Sequence, residues 1–159
     1  MNHVRWILAF LMLSAGIAAA QVVSLPPLNQ RVLGFADAHL GKPVGTGECW
    51  DLAAAALNEA GANWDGKYRF GREVDLKAER VLPGDIIQFE GIETLVRTAT
   101  SESRERMGHH TAIVHATHGD GRYTLAHQNF GPSGRKVGLT EWDARTVIRG
   151  RYTIYRPVQ

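Results

Sequence analysis

The sequence predicts a mixed fold with its helices first and its strands after. Three observations carry that reading. Residues 28–60 hold two segments with apolar or small residues at helical spacing, residues 86–156 hold four β-rich or alternating runs, and glycine or proline punctuates the junctions between them. A chain of 159 residues with 44% hydrophobic and 21% charged content can bury one ordinary core, so residues 21–159 are read as a single domain. The formal net charge of +2, with no basic arm or charge block, argues against a nucleic-acid partner.

The first stretch has the secretory pattern. Arg5 supplies a positive start, Trp6 to Ile17 is an almost unbroken apolar run, and Ala18-Ala19-Ala20 offers a small-residue cleavage site before Gln21. Residues 1–20 are therefore read as a signal peptide cleaved near Ala20, which predicts a secreted or periplasmic protein. The apolar run is short of the ~20 residues a bilayer needs, so an uncleaved anchor is the alternative, and no stable membrane insertion is expected after cleavage. The exported protein then carries one unpaired cysteine, Cys49, where most cysteines pair.

Taken in order, the first helix follows Pro26-Pro27, with Leu28, Val32, Phe35, Ala36 and Leu40 on one stripe and Gly41 and Pro43 as the stop. His39 reads as a surface residue near its C-terminus. The second helix is expected from Gly47 to Ala60, with Thr46 as N-cap and Gly61 as the stop. Cys49 falls in its first turn, where N–H groups and the dipole favour a thiolate, and shares a face with Ala53, Ala56 and Ala60. Such a face lets the helix approach a sheet closely. Asp51 opposes thiolate formation, and a packed, inert cysteine explains the same position.

Residues 61–80 interleave Trp64, Tyr68 and Phe70 with Lys67, Arg69 and Arg72, which suits a half-buried strand over Tyr68 to Val74 or a groove for a polar polymer. Pro83-Gly84-Asp85 turns the chain into the strand Ile86 to Phe89. Residues 92–108 show no clear period and read as an exposed excursion. His109 to Thr117 and Arg122 to Phe130 alternate as a hairpin around His118-Gly119-Asp120-Gly121. Thr140 to Asp143 suggests a short helical turn, and Arg151 to Arg156 a last strand.

Alternation puts His110, His127 and Asn129 on one face of that hairpin if its loop has an even number of residues; an odd loop or a bulge would scatter them. A two-residue loop sets His110 opposite His127, and a four-residue loop sets it opposite Asn129. These are the parts for nucleophilic catalysis: Cys49 to attack a carbonyl, His110 to take the thiol proton and return one to the leaving amine, and His127 or Asn129 to fix the tautomer of His110. The Cys49 backbone N–H is the natural oxyanion donor, and a nearby imidazolium would lower the thiol pKa. His109 and His115 should face the other way, with His118 in the turn. Imidazoles at 110, 115, 118 and 127 leave a zinc or copper protein as a minor alternative, although their spacing fits no standard metal motif.

The order GECWDLAAAAL, LPGDIIQF, GHHTAIV and LAHQNF resembles the CHAP group of cysteine, histidine-dependent amidohydrolases and peptidases, within the NlpC-type and papain-like cell-wall peptidases. The resemblance runs from about Thr46 to Phe130. It implies an α+β fold with helices packed on an antiparallel sheet curled into a half-barrel. It also implies cleavage of amide bonds in peptidoglycan by Cys49 and His110, with Asn129 matching an asparagine of the last catalytic strand. His127 stands where CHAP domains commonly carry glutamate and is similar to the third residue of the NlpC-type Cys-His-His arrangement. The expectation is a monomeric hydrolase of peptidoglycan or peptide that needs no cofactor and no metal. A binding module on the same scaffold, holding a wall fragment or a protein partner, is the alternative.

Overall fold

In the computed structural model residues 24–159 are described, so the signal peptide read over 1–20 lies outside the described residues. The fold is α+β. Helices α1 (Pro27–Ala38) and α2 (Cys49–Ala60) are followed by β1 (Arg72–Glu73), β2 (Ile86–Arg97), β3 (Glu102–Thr117), β4 (Arg122–His127), β5 (Gly138–Asp143) and β6 (Val147–Arg156). The six strands form one antiparallel sheet in the order β1-β6-β2-β3-β4-β5.

Both faces of the sheet are covered. On one side α1 and α2 pack Val32, Phe35, Leu52, Ala53, Ala56 and Leu57 against Ile86, Ile113 and Ala126. On the other, Ile87, Phe89, Ala112, Val114, Leu125, Trp142 and Ile154 form a second apolar layer. The alternation of β2 and β3 produces this division, since Ile86 and Ile113 point one way and Ile87 and Ala112 the other. The small face of α2 is buried as its spacing predicts, with Ala53, Ala56 and Ala60 nearly free of solvent. That lets the helix axis ride close to β3 and brings its N-terminus to the strand.

The Pro-Gly-Asp turn is an anchor as well as a turn. Asp85, fully buried, accepts from Asn29 Nδ2 at 2.8 Å, from Arg156 Nε and Nη2 at 3.0 and 2.8 Å, and from the Leu82 N–H at 2.8 Å. It ties α1, the entry to β2 and the end of β6 together.

Several elements depart from the sequence reading. Residues 92–108 are the far half of the β2–β3 hairpin, whose pairing runs from Ile86↔Ile113 out to Arg97↔Glu102 and leaves only residues 98–101 as a turn. The period is masked because Glu93 occupies an inward position, neutralised by Arg104 and Arg106 at 3.2 and 3.5 Å. Thr140 to Asp143 is strand, within β5, and the helical turn comes next at Ala144–Thr146. Only Arg72–Glu73 of the Tyr68 to Val74 run pairs, because the Asp65 carboxylate accepts the Lys67 and Arg69 N–H groups at 2.8 and 3.1 Å and coils the chain before it. The N-cap of α2 is Glu48 rather than Thr46.

The β3–β4 hairpin contains both features that were expected to scatter the histidines. His118 and Arg122 close a three-residue turn, and His115 is an extra residue between the pairs Val114↔Leu125 and Ala116↔Thr124. One odd insertion offsets the other. Beyond the bulge the pairing returns to the register of an even loop, so His110 and His127 share a face.

Candidate active site

Cys49 is the first residue of α2 and is delivered by a tight loop. Gly45 and Gly47 take φ of 59° and 86°, where a side chain is strained, and a Cβ would meet Asp51 Cγ at 2.8 Å in the first case and Arg135 Cβ at 2.7 Å in the second. Asp51 staples the loop rather than opposing the thiol. Its Oδ2 accepts from the Thr46 N–H and hydroxyl, both at 2.7 Å, and from the Glu48 N–H at 3.3 Å. Burial alone would raise the Asp51 pKa, but these bonds outweigh it and hold the carboxyl below its usual value. The carboxylate that bears on Cys49 is Glu48.

Two buried histidines lie on the opposite layer. His110 Nε2 and His127 Nδ1 are 2.8 Å apart, and His127 Nε2 is 2.9 Å from Thr140 Oγ1. Phe89 stacks on the His110 ring, and Phe130 packs at a tilt against both imidazoles. Burial lowers His110 to about 4 and His127 to about 3, each reinforced by a neighbouring imidazole. Both are neutral at physiological pH. The β3–β4 ladder stops at Ile113↔Ala126.

The electrostatics correct one expectation. Burial pushes the Cys49 thiol above its ordinary value, Glu48 pushes the same way, and hydrogen bonds from the Thr111 and Trp50 N–H groups only partly offset them. With His110 also neutral, the resting groups are a thiol and an imidazole rather than a thiolate and an imidazolium. Among the described residues no hydrogen bond joins Cys49 to His110, and His110 Nδ1 has no protein partner.

Asn129 is not brought to His110. It follows the end of β4 with φ of 57°, and its Nδ2 donates to Glu48 Oε2 at 2.5 Å, while Arg135 reaches Glu48 Oε1 at 3.0 Å. Of the two candidate orienting residues, only His127 touches the base. The remaining histidines are engaged elsewhere: His109 with Glu90 at 3.0 Å, His115 with Asp37 at 2.7 Å, His118 with Thr124 at 2.7 Å, and His39 donating to the Phe35 carbonyl at 2.8 Å. Among the described residues no three His, Cys, Asp or Glu side chains cluster as metal ligands.

Sequence reasoning missed Gln128. It is fully buried on the helix side of β4; its Oε1 accepts from the Val44 N–H at 3.1 Å, and its Nε2 donates to the Val44 and Glu48 carbonyls, both at 2.8 Å. Fixing the Glu48 carbonyl also fixes the Cys49 N–H, because the two point oppositely across one planar trans peptide. The signal was present in LAHQNF: alternation sends Gln128 to the face opposite His127, where the Cys49 loop lies.

The family model of the AIM3/BBC1 cysteine proteinase-fold domain matches residues 28–159. The chain belongs to this family. The match takes in both helices and the whole sheet of this AIM3/BBC1 domain. The fold is also similar to the crystal structure of Ly7917 with the hydrolyzing product of MDP, at 20% identity and a TM-score of 0.51 over 81% of this chain. A second crystal structure of Ly7917 gives 21% identity and a TM-score of 0.47 over 80% of this chain. The chain spans 62% of the length of those structures. No curated protein matches the sequence.

Proposed function

We propose that this AIM3/BBC1 domain is an exported cysteine amidohydrolase or endopeptidase that cuts amide bonds of peptidoglycan. The observation that carries the reading is the His110–His127 contact of 2.8 Å across β3 and β4, since β3 also packs against the helix that begins at Cys49. Cys49 Sγ attacks the amide carbonyl while its proton passes to His110 Nδ1, and the Cys49 N–H stabilises the oxyanion. His110 returns the proton to the leaving amine. Water, deprotonated by His110, then cleaves the thioester and frees the acid and Cys49. The raised thiol and lowered imidazole values favour proton transfer during attack over a preformed ion pair. The substrate class is supported by the fold shared with Ly7917, which was solved with a hydrolysis product of MDP. The motif order supports a CHAP- or NlpC-like member with a curled, half-barrel sheet, and the residues before Gln21 support export.

The protonated resting thiol and the missing Cys49–His110 hydrogen bond favour a second reading, a binding module on the same scaffold. Digestion of purified peptidoglycan by wild type and Cys49→Ala, with fragments read by mass spectrometry, separates the two. New amine and carboxyl ends with wild type alone are expected. Equal inactivity of both across several wall chemistries would count against the enzyme.

A further inference from the structure

We propose that Thr140 is a positioning residue whose hydroxyl, by accepting from His127 Nε2, sets the proton arrangement that leaves His110 Nδ1 free to act as a base. The inference rests on the hydrolase reading for its kinetic consequence but not for its structural one.

His110 and His127 are both neutral, and nitrogens 2.8 Å apart share a single proton. Two arrangements satisfy the pair. In the first, His110 Nε2–H donates to His127 Nδ1, His127 Nε2–H donates to Thr140 Oγ1, and His110 Nδ1 carries a lone pair. In the second every bond is reversed: the Thr140 hydroxyl donates to His127 Nε2, His127 Nδ1–H donates to His110 Nε2, and His110 Nδ1 is already protonated. Only the first can take the proton of Cys49. Once His110 is imidazolium, both of its nitrogens carry protons, so His127 Nδ1 must accept and its Nε2–H must find an acceptor in turn.

Thr140 is the only protein group hydrogen-bonded to His127 Nε2 among the described residues, at 2.9 Å, and the ring's other neighbours include the apolar Phe130. The register supports the contact. Leu125 pairs with Thr140 and His127 with Gly138, which places Thr140 diagonally across from His127 on the same face. Thr140 is half-buried, so its own hydroxyl proton can turn to solvent while the oxygen accepts.

The test compares Thr140→Val, which keeps the β-branched shape and removes the acceptor, with Thr140→Ser, which restores it. Imidazole nitrogen NMR of the wild type should show His127 protonated at Nε2 and bare at Nδ1, and Thr140→Val should reverse or mix the two tautomers while Thr140→Ser does not. For hydrolysis, stranding that N–H should lower kcat by about tenfold to a hundredfold with KM little changed, and serine should rescue it. A valine variant with the wild-type tautomer overturns the proposal, as does an altered tautomer with unchanged kcat. If wild type proves inert like Cys49→Ala while the tautomer still switches, the hydrolase reading fails and the assignment of Thr140 stands.

Discussion

Truncating Gln128 should damage the fold and the reaction together. The side chain makes three hydrogen bonds to the loop that carries Cys49, at 3.1, 2.8 and 2.8 Å, in a fully buried position. Each is worth ~1 kcal/mol net, and the stranded Val44 and Glu48 groups add desolvation cost, so Gln128→Ala should lose ~3 kcal/mol or somewhat more. Urea unfolding reads that loss as a lower midpoint at constant slope. The kinetic effect has a different origin. Freeing the Glu48 carbonyl frees the Cys49 N–H across the same peptide, and a misplacement of ~1 Å costs about a hundredfold in rate. Under conditions where the variant remains folded, peptidoglycan cleavage should therefore fall by about that factor. Gln128→Glu should be worse, since it sets a carboxylate oxygen against two carbonyls in place of an amide donor. An alanine variant within ~0.5 kcal/mol of wild type and equally active would refute both the anchoring and the orienting roles.

Other consequences follow from buried charge and burial of the imidazoles. Asp85→Ala removes the acceptor that Arg156, Asn29 and the Leu82 N–H share, leaving Arg156 with Glu79 and the Arg80 carbonyl and Asn29 with the Pro83 carbonyl, and should destabilise by ~3 kcal/mol, seen in the unfolding midpoint, with Asp85→Asn recovering only part because it replaces one acceptor oxygen with an amide facing a cation. Stability should also fall in acid through the histidine pair. Their folded values of about 4 and about 3 lie below the unfolded value of ~6.5, so the unfolded chain binds more protons between these limits. The contribution is complete above ~6.5 and lost as pH falls toward about 3. Unfolding free energies measured across that window should show a slope that flattens in a His110→Gln/His127→Gln double variant; an unchanged slope would mean that the pair is not buried neutral.

Much of the frame could be read from residues alone because it rests on local periodicity. The stripe of α1, the small face of α2 and the alternation around Ile113 each announce what they pack against. The start of α2 was legible to within two residues, and Cys49 stayed in its first turn despite the change of cap. The outer β2–β3 hairpin was not legible, because Glu93 points inward and depends on arginines from the partner strand. The strand around Thr140 was hidden by a composition that suits a turn as well as an edge strand. The pairing of His110 with His127 was open on the sequence, and a bulge at His115 that no local rule signals decided it. The charge state was hidden for the same reason: an imidazole lowers a neighbouring thiol's pKa only while charged, and the apolar walls that keep His110 neutral come from Phe89 and Phe130, distant in the chain from Cys49.

The bulge at His115 and the three-residue turn at 119–121 divide the chain into stretches where length is free and stretches where it is not. At the tip of the β2–β3 hairpin, adding or deleting residues among 98–101 changes only how far a ribbon projects. In the other hairpin a single deletion in the turn, or the loss of His115, would leave one uncancelled shift and send either the histidines or the apolar residues of β4 to the wrong side of the sheet. Only the two changes made together restore the alignment. Among relatives of this chain the two lengths should therefore vary as a linked pair, and a designer who wants to graft a new loop here has to count in twos.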